Sequence, residues 1–215
     1  MSGREIQAVL FDLDGTLVDS HRALWDAYAS FLRRRKREPT QEEFASLDGP
    51  TIPEIVRHLA TAHDLDDDPG LLLAEYNDLL GETYARVPAM PVADRLLRTV
   101  GERFPIGLVT SASRHLVDPL LVERGWKQTF AVVVTGDEGN AKPDPALYRL
   151  AVARLGLPAS RVVAVEDGVR GVQAARRAGL AVVGIGAGDD TAARLRDAGA
   201  KRVVVSLDDV LCLLG

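Results

Sequence analysis

From about residue 92 onward, short valine-rich runs alternate with stretches of helical spacing, and this rhythm constrains the fold more than any other feature. The runs are PIGLVT (105–110), AVVV (131–134), RVVAV (161–165), LAVVGI (180–185) and RVVVS (202–206). Between them the spacing predicts helices at about 114–124, 145–155, 169–178 and 190–198. Near-continuous apolar strands separated by helices predict a parallel sheet, since burial on both faces removes the apolar–polar alternation of a half-exposed strand. Asp144 can cap a helix with Pro145 at its first position, and Gly156 can end it. Residues 6–11 share the pattern and are assigned to the same sheet.

Residues 19–91 read differently, with helical pieces and no strand-like run. In 20–37, Leu24, Tyr28, Phe31 and Leu32 fall on one helical face with Trp25 beside them. Thr40 followed by Glu43 is a capping-box signature, and Pro53 and Asp68-Pro69-Gly70 open two further helices. The expectation is an α/β protein. Residues 1–18 and 92–215 form a Rossmann-like core, a parallel sheet with helices on both faces, and residues 19–91 form an inserted α-helical cap.

Composition narrows the function. The net charge of -5 gives no basic field to recruit nucleic acid or an anionic membrane, so neither is expected as a partner. No apolar stretch is long enough to span a bilayer, and MSGREIQAVLF lacks the apolar segment of a secretory signal. Cys212 is the sole cysteine, which precludes an intrachain disulfide. A cytoplasmic protein is expected, as a monomer, with a dimer as the alternative.

The chemistry sits where the strands end. Ligands of parallel α/β sheets bind beyond the carboxyl ends of the strands. The first strand runs into Asp12-Leu13-Asp14-Gly15-Thr16, the second ends at Thr110-Ser111, and the run at 161–165 leads into Glu166-Asp167-Gly168. Asp12 and Asp14 are two apart, so in extended chain they face the same side. Carboxylates gathered at one sheet edge need a cation. All-oxygen ligation by Asp12, Asp14, Glu166 and Asp167 suits Mg²⁺, which keeps several waters and commonly bridges to phosphate. Lys142 lies in the loop before the 145–155 helix, and the Thr110 hydroxyl with nearby backbone N–H groups can bind phosphate oxygens. An aspartate can itself attack phosphorus, and crowding raises the pKa of a neighbouring carboxyl. Asp12 as nucleophile and Asp14 as proton shuttle is a workable division of labour.

These segments resemble the haloacid dehalogenase-like hydrolase superfamily, in its phosphatase branch with a helical cap. FDLDGTLVDS is similar to that family's first motif, LVTSAS to the second, AKPDPALY to the third and VVAVEDGVRGVQAARRAG to the fourth, in the family's order and over nearly the whole chain. The resemblance implies Asp12 as nucleophile and metal ligand, and Asp14 as acid/base with its backbone carbonyl on the metal. It implies Asp167 as a direct ligand, Glu166 acting directly or through water, and Thr110, Ser111 and Lys142 on the phosphate. Asp19 is expected to steady the turn into the cap. Three positions depart from the family pattern. Ala141 replaces a glycine before the lysine, and Gly168 replaces a serine or alanine. Leu24 stands where β-phosphoglucomutase-like relatives carry a hinge histidine.

Other features read as structural. Arg33-Arg34-Arg35-Lys36-Arg37 lacks interleaved aromatics and reads as a solvated helix end. Asp66-Asp67-Asp68 lacks the spaced oxygens of a Ca²⁺ loop, and the four histidines share no ligand spacing. Cys212 reads as a buried thiol among leucines, and Arg114 as a candidate contact for substrate or phosphate.

The expected function is Mg²⁺-dependent hydrolysis of a small phosphate monoester through an aspartyl-phosphate. Two alternatives remain: a sugar phosphomutase, against which Leu24 counts, and a non-enzymatic phospho-accepting switch, against which the helical insertion counts. A dehalogenase needs no second carboxylate at position 14, and a phosphonate hydrolase needs a cap lysine, where only Lys36 is present. By resemblance, the loop Asp48-Gly49-Pro50-Thr51 sets specificity, and its lack of arginine favours a neutral sugar or polyol leaving group.

Overall fold

The computed structural model describes residues 6–47 and 50–215. Among them the elements run β1 (Ala8–Phe11), α1 (His21–Arg34), α2 (Gln41–Ser46), α3 (Ile52–Ala62), α4 (Pro69–Tyr84), α5 (Ala93–Gly101) and β2 (Ile106–Val109). They continue α6 (Arg114–Glu123), β3 (Val132–Val134), α7 (Ala146–Leu155), β4 (Val162–Glu166), α8 (Val169–Arg177), β5 (Ala181–Ile185), α9 (Asp189–Asp197), β6 (Arg202–Val204) and α10 (Leu207–Leu214). The six strands form one parallel sheet in the order β3-β2-β1-β4-β5-β6.

Strand residues of alternating parity go to opposite faces of a sheet. Val9 and Phe11 of β1, with Val163 and Val165 of β4, enter one apolar cluster with α5, α6 and α10. Ala8 and Leu10, with Val162 and Ala164, enter the other with α7, α8 and α9. Both faces are therefore covered, and the unbroken apolar runs follow from that. The chain goes from β1 outward through β2 to β3, then returns to the other side of β1 for β4. The order reverses at β1, and the crevice at such a switch point is where open α/β sheets bind ligands.

Four helices, α1–α4, lie between β1 and α5, with α4 packed on α1 and α3. Tyr28 and Phe31 are fully buried. Thr40 Oγ1 accepts the Glu43 N–H, but the return bond of a capping box is replaced, since the Thr40 N–H donates to the Tyr28 hydroxyl. Asp68 accepts the N–H groups of Gly70 and Leu71. The two crossings between the helices and the sheet are tied together: Asp19 N–H donates to Pro88 O, and Met90 N–H donates to Leu17 O. Asp19 itself is exposed.

Four readings shift. Two helices escaped the sequence pattern, α5 and α10. Val92 enters α5 in the left-handed region (φ 69°) with no side-chain cap, so no start signal marks it. Pro145, not Asp144, is the N-cap of α7, although Asp144 still accepts the Ala146 N–H. The thiol Cys212 is exposed. In α10 the residues Leu207, Val210, Leu211 and Leu214 form the buried face, and Cys212 falls on the opposite one. The basic run is not merely solvated: Arg34 and Arg35 pair with Glu75, Arg35 also meets Asp67, and Arg35 stacks over Phe31. No helix among the described residues is long and apolar enough to cross a membrane.

Glu138 anchors the segment after β3, accepting the Thr135 N–H and pairing with Arg114 and Arg154. Burial works against its charge, but the bonds from Arg154, Thr135 and Arg114 outweigh it and hold its pKa at about 2. A depressed pKa contributes stability above the ordinary value of 4.5 that is lost as pH falls toward 2. Glu138→Gln is therefore expected to be less stable than the parent at about pH 5, with the gap narrowing by about pH 3, as read from urea midpoints.

Candidate active site

Three adjacent strands deliver the site. β1 ends in Asp12, β2 runs into Thr110 and Ser111, and β4 carries Glu166 followed by Asp167. Lys142, from the loop before α7, reaches back under the sheet edge. Its ammonium group donates to Asp12 Oδ1 at 2.5 Å, Glu166 Oε1 at 2.7 Å and Val109 O at 3.1 Å. Lys142 is 4% exposed, Asp12 7% and Glu166 2%, so this is a buried ion triad. An ammonium group has three protons; each finds an acceptor here. Burial works against the charge of Lys142, yet Asp12 and Glu166 outweigh it and push its pKa up.

Asp12 moves the other way from an ordinary ion-pair partner. Burial raises its pKa, and although Lys142 opposes this, Glu166, Asp167 and Asp14 add to the rise. The carboxylates outnumber the buried cation. Side-chain oxygens of Asp12, Glu166 and Asp167 lie within 4.8 Å of one another. These hard oxygen donors and their shortage of positive charge fit a divalent metal ion. The Asp14 side chain is not in that trio. It faces α4, where the Tyr84 hydroxyl donates to its two oxygens at 2.7 and 2.8 Å. Burial and then Asp14 push the Tyr84 pKa up.

The phosphate candidates also come together. Thr110 Oγ1 accepts the Ala112 N–H at 3.0 Å, which leaves its hydroxyl proton to donate elsewhere. Ser111 Oγ is shielded from solvent and has no hydrogen-bond partner among the described residues. A shielded, unpartnered hydroxyl lining the cavity is what an oxyanion would satisfy. Asp12, Asp14, Thr110, Ser111, Lys142, Glu166 and Asp167 all border a cavity of about 500 Å³.

Sequence reasoning missed several supports. Tyr148 of α7 donates to Glu166 Oε1 at 2.6 Å, and Thr16 to Asp167 Oδ1 at 2.9 Å. Tyr84 belongs to the same class: lone tyrosines on apolar helix faces look like core, and only tertiary partners reveal the hydroxyl. Arg170 and Arg194 line the cavity too, as does His21, which meets Phe44 edge-on. Arg114 is engaged elsewhere, paired with Glu138 and Asp118. Leu24 lines the cavity and brings no ionisable group. Asp48 and Gly49 of the expected specificity segment lie outside the described residues, while Pro50 borders the cavity.

Two glycines are needed for contact. Gly15 turns the chain after Asp14 at φ 79°, and a Cβ there would sit 2.0 Å from Asp167 Oδ2. A Cβ on Gly171 of α8 would lie 2.1 Å from the Glu166 carboxyl group.

The family described as haloacid dehalogenase-like hydrolase matches residues 9–185. A validoxylamine A 7'-phosphate phosphatase of Streptomyces hygroscopicus subsp. limoneus is 32% identical over 190 residues, covering 83% of this chain and 85% of that one. A phosphoglycolate phosphatase of Chromobacterium violaceum is 31% identical over 225 residues, covering 100% and 99%. The crystal structure of a protein described as a putative beta-phosphoglucomutase from Thermotoga maritima superposes with a TM-score of 0.78 at 26% identity, covering 97% of this chain and 98% of that one.

Gly171→Ala is expected to force Glu166 off Lys142 and Tyr148 and to cost about 1–3 kcal/mol in urea unfolding. Gly81→Ala, on an exposed turn of α4 where a Cβ meets nothing, is expected to gain roughly 0.5–1 kcal/mol.

Proposed function

The chain belongs to the haloacid dehalogenase-like hydrolases, and from that premise we propose Mg²⁺-dependent hydrolysis of a small-molecule phosphate monoester through an aspartyl-phosphate on Asp12. The observation that carries this reading is the buried Lys142 bridging Asp12 and Glu166 beside an unpartnered Ser111 hydroxyl. That combination holds an attacking carboxylate next to positive charge and hydroxyl donors for phosphoryl oxygens.

In the proposed cycle an Asp12 oxygen attacks phosphorus while the ester P–O bond breaks. Asp14 gives a proton to the departing oxygen. Water then attacks the phosphoryl group, Asp14 takes a proton from that water, and the bond to Asp12 breaks to release inorganic phosphate. Thr110 and Ser111 orient the phosphoryl oxygens throughout, while Lys142, its three protons held by Asp12, Glu166 and Val109, supplies positive charge beside them. Tyr84 fixes where Asp14 stands between the two proton transfers. A Mg²⁺ ion held by Asp12, Asp167, Glu166 and the Asp14 carbonyl would supply the positive charge that the clustered carboxylates lack. Residues 19–91 serve as a cap whose side chains Leu24, Phe44, Leu47, Ile52 and Ile55 wall the cavity and keep bulk water from the phosphoryl enzyme. Leu24 in that wall gives no group to relay a proton to a sugar hydroxyl, so release to water is favoured over return to substrate.

Phosphate release across a panel of phosphorylated sugars, polyols and acids, with and without Mg²⁺, tests the reading. Release is expected only with the metal. Asp12→Asn is expected to lower it by about 10³-fold or more with circular dichroism unchanged. Parent-like turnover in that variant would remove Asp12 as the nucleophile.

A further inference from the structure

Two core arginines share the cavity with the acidic cluster: Arg170, in the first turn of α8, and Arg194 of α9. Arg170 is held in place. Its Nε donates to the carbonyl of Lys142 at 3.1 Å, so it is fixed relative to the lysine of the ion triad. Among the described residues, neither of its terminal nitrogens meets an acceptor and no carboxylate pairs with it. Arg194 is exposed at the cavity's edge and has no hydrogen bond or ion pair among them. Glu54 Oε2 accepts the N–H and hydroxyl of Thr51 at the start of α3, bonds that lower its pKa, and Arg170 lies close enough to lower it further. Glu54 and Arg170 border a second cavity without forming an ion pair. Arg34, Arg35, Arg114 and Arg154, by contrast, each meet a carboxylate.

Two guanidinium groups that border one cavity without a carboxylate partner favour an anion there over a neutral group. A guanidinium presents a planar fork matched to carboxylate or phosphate oxygens. The phosphoryl group already has Lys142, Thr110 and Ser111, and a cavity of about 500 Å³ holds a good deal more than that group. The rest of the wall, on the side of α1–α3, is mainly apolar, with Ser20, His21 and Gln41 as its polar side chains. Resting on the phosphatase reading above, we propose that Arg170 and Arg194 form a subsite for a second anionic group, carboxylate or phosphate, on the leaving group. The substrate is then a phosphorylated sugar or polyol with two acidic ends, held by the sheet edge at one and by α8 and α9 at the other. The specificity that the loop at 48–51 lacks an arginine to provide comes instead from the core.

Matched esters test this. Steady-state phosphate release is compared for fructose 6-phosphate against fructose 1,6-bisphosphate, and for glycerol 3-phosphate against 3-phosphoglycerate. The first pair adds a phosphate and the second a carboxylate, so the pair that responds identifies the group. Parent enzyme is expected to prefer the charged member of at least one pair by about tenfold in kcat/KM, expressed in KM. Arg170→Gln and Arg194→Gln are expected to bring that ratio toward one, and Arg170→Lys to keep part of it. Arg194 bonds to nothing described, so its variant leaves the Lys142 loop intact and guards against a structural effect of Arg170→Gln. Equal kcat/KM within both pairs, or variants that lower both members by the same factor, would overturn the subsite while the phosphatase reading stands. Absence of release from every ester, p-nitrophenyl phosphate included, would refute that reading and the subsite with it.

Discussion

A single ammonium group organises this molecule. Lys142 stands buried between Asp12 and Glu166, and its third proton goes to the carbonyl of Val109. The acceptors come from β1, from β4 and from the strand between β1 and β3. Lys142 thus binds together the carboxyl ends of the three central strands. A buried charge is tolerated only when paired and fully hydrogen-bonded, and breaking one arm leaves the others uncompensated at a cost of about 3–5 kcal/mol. The geometry is over-determined for that reason: Tyr148 supports Glu166, and Gly171 makes room for it. Such a triad adds little stability over an apolar replacement. Its cost makes sense where a carboxylate must face a phosphoryl group.

The order of the strands explains why these residues can meet at all. Asp12, Lys142 and Glu166 are far apart in the chain, but β2 and β4 flank β1 on its two sides. Loops leaving β1 and β4 therefore diverge to opposite helical layers and open a crevice between them. The helices inserted after β1 roof that crevice, and their attachment is local. Paired backbone bonds at Asp19–Pro88 and Leu17–Met90 hold both crossings side by side. Tyr84, at the end of α4, then reaches Asp14 two residues beyond Asp12. Asp14 is thus held by the inserted helices, while Asp12 is held by the sheet and its lysine.

What the sequence disclosed followed from physical periodicity. Strands buried on both faces announce themselves as valine runs, and every predicted strand from residues 6–11 to 202–206 appears within a few residues of its expected bounds. Carboxylates at strand ends stand out because such residues are costly there unless used. The same logic hid what it did not mark. α5 begins from a left-handed valine without a polar cap, and α10 reads as a leucine-rich tail until its buried face is seen. Tyr84, Tyr148 and Thr16 sit in segments whose pattern is accounted for by packing, and their hydroxyl partners lie 70, 18 and 151 residues away. Cys212 misled because neighbours in sequence are not neighbours on a helix face.

The arginines carry the same lesson further. In VRGVQAARRAG, Arg170 resembles Arg176 and Arg177, all of them cations on one amphipathic helix. The structure separates them by partner: Arg176 and Arg177 donate to the carbonyls of Leu180 and Pro143 through terminal nitrogens, whereas Arg170 turns its Nε to Lys142 O and borders the cavity. One short loop thus fixes two cations through its two kinds of group, the Lys142 side chain at the acidic cluster and the Lys142 carbonyl on Arg170. If the proposed subsite holds a second anion, this loop sets the distance between the two ends of the bound ester.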